Sequence, residues 1–229
     1  QEVEAGRITE DEVAQIELVY LPLLTHYRQP NILHKAMDRE PSLFVDAACL
    51  AYRAEGEGEQ ELDDTTRGQA LLAHELLSSW RTPPGFQNGV LDAAHLDGWI
   101  DEARRRFAES NRAAVGDHLI GQMLSGSPIG ADGAWPAEPV REIIERLRSG
   151  DLEAGLHMGR FNLRGVTTRD PLSGGYLERN IKDRYESDAA KVAALWPRTA
   201  AFLRAFARTY ERDATREDLA AELQHDLMG

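Results

Sequence analysis

Apolar residues recur along this chain with the period of a helix over almost its whole length. Ile16, Val19, Tyr20, Leu23 and Leu24 stand at i, i+3, i+4, i+7 and i+8, which places them on one helical stripe. Thr9 and Glu12 have the spacing of a capping box at its start, and Pro22 predicts a kink or an end. Pro30 suits the first turn of a second helix with Ile32, Leu33, Ala36 and Met37 inward. Pro41 closes that helix and opens a third over 42–53, with Leu43, Phe44, Ala47, Leu50 and Ala51 as its buried residues. A fourth, over 65–80, carries Leu72, Leu76 and Trp80 and is stopped by Arg81-Thr82-Pro83-Pro84-Gly85. Asp92 is the N-cap candidate for the clearest stripe in the chain, Leu96, Trp99, Ile100, Ala103 and Phe107.

The second half repeats the pattern. Val115, Leu119, Ile120 and Met123 define a helix over 112–124, and Val140, Ile143, Ile144 and Leu147 define the next, closed by Ser149-Gly150. The helix over 151–163 is interrupted by Gly155 and Gly159, which predicts either close helix packing or a weak helix. Ile181, Tyr185, Ala189, Val192 and Trp196 share one face, and Pro197 begins a last long helix with Phe202, Phe206, Tyr210, Leu219 and Leu223. Alternation of apolar and polar residues is almost absent, so strands are not expected. The reading is an all-α protein of about nine helices, packed as antiparallel hairpins into an α-solenoid or an irregular bundle. It forms a single all-helical domain over 1–229, with the Gly/Pro-rich segment 125–139 as the candidate subdomain break.

Composition narrows the function classes. The 229 residues include 39 acids against 26 basic residues, a formal net charge of −13. That balance argues against a broad nucleic-acid surface, which needs clustered positive charge. Only Lys35, Lys182 and Lys191 are lysines, an arginine bias that points to a GC-rich bacterial genome. Cys49 is the single cysteine and lies in an apolar run, so it reads as a core residue in a reducing, cytoplasmic setting. No run of residues has the length and apolarity of a membrane span. The opening Gln1-Glu2-Val3-Glu4 lacks an initiator Met and a signal peptide, which predicts a fragment of a longer polypeptide. The acidic stretch 55–64 reads as a solvated surface loop.

Known chemical signatures do not fit. His74-Glu75 begins like a zinc-protease helix, but Ser78 stands where the second His ligand belongs. Phosphate-binding, dinucleotide-binding and nucleophile-elbow patterns are also missing, so no catalytic, metal or cofactor residue is expected. The exceptional segment is the loop Gly159–Gly175, with Arg160, Arg164 and Arg169 against Asp170. Guanidinium forks suit carboxylates and phosphates, and Asn162, Thr167 and Thr168 add hydrogen-bonding groups. Arg160, Asn162, Arg164, Thr168 and Arg169 are therefore candidate partner or anion contacts, joined by Trp80 and Arg81 at the Pro-Pro-Gly corner. The competing reading is structural: the arginines bond helix-end carbonyls and acidic neighbours and tie the loop down.

Gly159-Arg-Phe-Asn-Leu-Arg-Gly-Val-Thr-Thr-Arg, Gly174-Gly175, Glu178-Arg179 and Trp196-Pro-Arg-Thr-Ala-Ala resemble the C-terminal helical region of large multidomain bacterial proteins of uncharacterised function. Leu18-Val-Tyr-Leu-Pro-Leu-Leu, Pro41-Ser-Leu-Phe-Val and Trp80-Arg-Thr-Pro-Pro-Gly resemble the same region. The resemblance covers nearly all of the chain. It implies a part of a multidomain regulator or phage-defence factor and carries no catalytic residue. The expected function is a non-catalytic helical scaffold, sensor or protein-interaction module, contacting a protein partner or other domains of the parent chain. The alternative is a nucleotide- or phosphate-binding helical domain, enzymatic or nucleic-acid-binding, that uses the arginine loop.

Overall fold

The computed structural model describes residues 9–24, 27–58, 61–164 and 174–228. Eleven helices and one two-stranded hairpin occupy them. In order these are α1 (Glu10–Val19), α2 (Leu21–Leu24), α3 (Asn31–Arg39), α4 (Pro41–Ala51), α5 (Asp64–Ser79), β1 (Phe86–Gln87), β2 (Val90–Leu91) and α6 (Ala93–Glu109). Then follow α7 (Ala113–Leu124), α8 (Glu138–Leu147), α9 (Gly150–Asn162), α10 (Tyr176–Val192) and α11 (Pro197–Met228).

Local signals set most of the boundaries. At Thr9 the capping box is complete: its hydroxyl accepts the Glu12 N–H at 3.2 Å, and the Glu12 carboxylate accepts the Thr9 N–H at 2.8 Å. The side chains of Asp63, Asp92 and Ser149 accept the first free amides of α5, α6 and α9. The count exceeds the expected nine partly because the single turn α2, which contains Pro22, is split from α1 at Tyr20.

The hairpin departs from the sequence reading. Asn88 and Gly89 have φ of 50° and 82°, the left-handed pair of a tight two-residue turn. Phe86 pairs with Leu91 and Gln87 with Val90. Strands of two residues are too short to show alternation. Asn88-Gly89 was the available signal.

Buried residues from Leu21 to Tyr210 form one hydrophobic cluster. In the first half, Phe44 meets Trp80, Trp99 and Phe107 at ring-centroid distances of 5.7, 5.3 and 5.9 Å, joining α4 to α5 and α6. The second half has its own aromatic set, with Tyr185 against Trp135, Phe206 and Tyr210 at 6.1, 4.5 and 5.8 Å. All five residues of the expected α6 stripe are buried.

Two expected faces are turned differently. Leu43 and Leu50 are exposed, while Val45 and Ala48 are buried with Phe44 and Ala47. The face of α4 that meets α5 and α6 is therefore rotated from the one the periodicity suggested. On α1–α2, Ile16, Val19, Tyr20 and Leu23 are 49, 70, 53 and 63 % exposed. The cause is Glu17, which is buried and whose carboxylate accepts the Ile32 and Leu33 N–H groups at 2.8 and 3.0 Å. Pro30 gives α3 no side-chain cap, so Glu17 supplies one from α1. Holding Glu17 inward sends the apolar stripe outward.

Candidate functional site

The described parts of the 159–175 segment are the end of α9 and the start of α10, and both rest on α11. Gly175 donates its N–H to Asp218 of α11 at 2.9 Å, and Arg179 pairs with the same carboxylate. A side chain at Gly175 would stand 2.3 Å from the Ala214 carbonyl oxygen, so only glycine lets α10 start this close to α11. Thr168 and Arg169, with Thr167 and Asp170, lie outside the described residues.

Arg160 leaves the last turn of α9 and lays its guanidinium over Trp135, 4.7 Å from the ring centroid. Its Nε donates to the Tyr185 hydroxyl at 3.2 Å. Arg164 sits over the Tyr210 ring at 4.8 Å and donates to Glu178, which is buried, at 3.4 Å. Asn162 is exposed at the end of α9 and is not drawn into this group. Two of the five expected loop residues are thus brought together, on a wall of aromatic rings from α10, α11 and the 125–139 connection.

Tyr185 and Tyr210 are parts of this site that the sequence reading assigned to core packing alone. They are 5 and 1 % exposed. Burial raises both phenols above their ordinary value; Arg160 opposes the shift at Tyr185, and Arg164 opposes it at Tyr210. Both therefore keep their protons at neutral pH. Arg184, one residue before Tyr185, lines the same pocket and was not singled out by the sequence. Arg184, Tyr185 and Tyr210 stand 24, 25 and 50 residues from Arg160 in sequence, so only the fold relates them.

The Pro-Pro-Gly corner is placed differently. Trp80 is 2 % exposed and belongs to the aromatic core, so its ring is covered by α3, α4 and α6 rather than offered to a partner. Arg81 is half-buried and donates to Gln122 of α7 at 3.3 Å. Beside this corner a cavity of about 540 Å³ is lined by His34, Lys35, Asp38, Arg39 and the tip of the β1–β2 hairpin. His34 donates or accepts at Ser79 Oγ, 2.9 Å away, and the Ser79 hydroxyl donates to the Leu76 carbonyl at 2.7 Å. With its proton committed there, Ser79 accepts from His34.

A shallow groove of about 650 Å³ runs between α9 and α11 over Phe202 and Phe206, with His157 edge-on to Phe206 at 4.4 Å. Among the described residues no group of three or more His, Cys, Asp or Glu could hold a metal ion, and no helix is long and apolar enough to cross a membrane. No protein-family model matches the chain, and neither a curated protein nor a solved structure matches it.

Proposed function

We propose that this chain is a non-catalytic helical interaction module, a scaffold or sensor element within a larger bacterial cytoplasmic protein, its helices stacked as hairpins. The observation that carries the reading is the outward apolar stripe of α1–α2. Ile16 is 49 % exposed, Val19, Tyr20 and Leu23 are more than half exposed, and Tyr27 beyond them is 88 % exposed. Single exposed apolar side chains are ordinary, but a run of large ones along one helix face marks a contact surface.

The occupant that fits is an amphipathic helix, from a partner protein or from another domain of the parent chain. Side chains three and four apart form ridges that interdigitate with those of a second helix. Glu12 lines the stripe on a chain of net charge −13, so a helix with Lys or Arg at its rim is favoured. Arg160 and Arg164 are not part of this surface; they lie at the end of α9, over the Trp135 and Tyr210 rings.

A photoreactive amino acid at position 19, compared with one at exposed Asp151, tests the reading in cells. The expected outcome is crosslinks from position 19 that concentrate on one basic amphipathic helix. Val19→Asp with Leu23→Asp should abolish them while shifting Tm by no more than about 2 °C, because exposed positions tolerate such changes. Crosslinks equally frequent from position 151, or scattered over abundant proteins, would remove the basis for the proposal.

A further inference from the structure

Between the end of α9 and the facing sides of α10 and α11 lies a pocket of about 220 Å³. Its polar lining is Arg160, Arg164, Arg184, Tyr185 and Tyr210, with Leu163 and Ile181 as apolar walls. Three guanidinium groups facing one small cavity are unusual on a chain this acidic, and their internal partners do not balance them. Arg164 has Glu178. The terminal nitrogens of Arg160 and the whole of Arg184 take neither a hydrogen bond nor an ion pair among the described residues. Nearby Asp188 accepts the Trp135 N–H at 3.4 Å and lies 4.0 Å from Lys191. Among the described residues, three arginines less Glu178 leave about two positive charges at the pocket.

The second observation is independent of charge. Tyr210 is 1 % exposed and the Arg164 guanidinium lies beside it, yet its O–H finds no acceptor among the described residues. Leaving a buried hydroxyl unpaired costs about 1–3 kcal/mol, so such a group ordinarily finds an acceptor. Tyr185 is half-satisfied in a complementary sense: its oxygen accepts from Arg160, which leaves its own O–H available to donate. The two rings stack at 5.8 Å with 17° between their planes. The pocket thus gathers donors from five side chains and asks for an acceptor-rich anion.

We propose that this pocket binds a phosphate monoester. A monoester carries about −1.5 to −2 charge at neutral pH and three strong acceptor oxygens, which matches the surplus charge and the phenol and guanidinium donors together. A carboxylate would leave one positive charge and several donors unanswered. The proposal does not depend on the α1–α2 surface, which lies on other elements. Its chemistry is shared by free phosphate and by the phosphate of an organic monoester.

Binding of phenyl phosphate and of inorganic phosphate, each at fixed ionic strength against chloride, is measured by calorimetry with Tyr210→Phe and Arg184→Gln alongside the parent protein. Both variants are expected to weaken binding by about tenfold or more, the loss of a hydrogen bond to a charged group. Tyr210→Phe should at the same time raise the Tm of the unliganded protein by about 2 °C, because it removes an unpaired buried hydroxyl. A merely structural tyrosine would not give those opposite signs. Tighter binding of phenyl phosphate assigns the site to an organic monoester, and equal binding assigns it to free phosphate. Three results would overturn the proposal: no binding of either probe at about 10 mM, a level weaker than ~3 kcal/mol of standard binding free energy; binding that chloride suppresses equally well; or binding that both variants leave unchanged.

Discussion

Individual side chains hold the joints of this fold. Arg141 is wholly buried and makes four guanidinium hydrogen bonds to one corner of the chain. It donates to the Pro136 and Ala134 carbonyls at 2.5 and 2.6 Å and forks onto Asp132 at 2.7 and 2.8 Å. That fork holds the Asp132 carboxyl down at about 2. Trp196 covers the guanidinium from the other side at 4.8 Å. A planar fork that places four donors at once is needed here, and an ammonium with three cannot reproduce it. Arg141→Met should therefore cost about 3 kcal/mol, read from the urea midpoint, and Arg141→Lys should recover less than half of that. His34 gives a pH signature at the same scale. Burial pushes its imidazole from 6.5 down to about 4. Between those values the unfolded chain holds a proton that the folded one lacks, so stability is complete above pH 6.5 and is lost as pH falls through 4. The full loss is about 3 kcal/mol. Comparing urea midpoints at about pH 7.5 and about pH 4.5, the drop should shrink in His34→Gln, which keeps a neutral donor toward Ser79. An unchanged drop would mean that the ring is protonated in the fold.

Helices pack here in two ways, and the sequence announced them unequally. The α6 stripe was readable because Leu96, Trp99, Ile100, Ala103 and Phe107 are all large or tightly spaced and all buried. The α7–α9 contact was readable only as an ambiguity over Gly155. The fold resolves it: a Cβ at Gly155 would lie 1.9 Å from the His118 carbonyl oxygen, and one at Gly121 would lie 2.1 Å from that of Leu152. The two backbones touch, so these glycines make a close joint rather than a weak helix. Gly155→Ala replaces hydrogen by a methyl against rigid backbone. It should cost about 3 kcal/mol and lower Tm by about 6–12 °C, whereas alanine at Gly68, where the Cβ meets nothing within 4 Å, should leave Tm the same or higher. The orientation of α1 was not legible, because the decisive contact is a polar one made with residues 15 and 16 positions away. Hydrophobic periodicity assigns a helix and its apolar face; it does not say whether a buried carboxylate will outweigh that face. The same limit hid the pocket of arginines and tyrosines between α9, α10 and α11. Arg160 and Arg164 stood out in their loop, but Tyr185 and Tyr210 looked like ordinary core positions until α10 and α11 were folded against them.

At the scale of the whole molecule, the question is whether the two aromatic sets stand or fall together. The segment 125–139 looked from its glycines and prolines like a place to divide the chain. In the fold it carries Ala134, Trp135, Pro136 and Ala137 into the interior. Contacts also tie the first half to α7, to the 125–139 segment and to α8 beyond it. Arg81 reaches Gln122, and the backbone of Gly126 lies so close to the Arg81 carbonyl that a Cβ would stand 1.5 Å from its oxygen. Arg146 of α8 bridges Asp97 and Asp101 of α6 at 2.6 and 2.7 Å. Exposed ion pairs contribute little alone, so the weight falls on α7, whose Leu119, Ile120 and Met123 belong to the same cluster as Phe107 and Leu156. A helix shared by both sets cannot be left behind by either without exposing its buried face to water, at roughly 1.5–3 kcal/mol per large side chain. Unfolding is therefore expected to be cooperative across the chain. Hydrogen exchange followed along a urea series should give amides of α6 and α9 one common midpoint. Two midpoints separated at the 125–139 segment would instead mean that α7 folds with one set only, and that the single hydrophobic cluster is a contact between two independently stable halves.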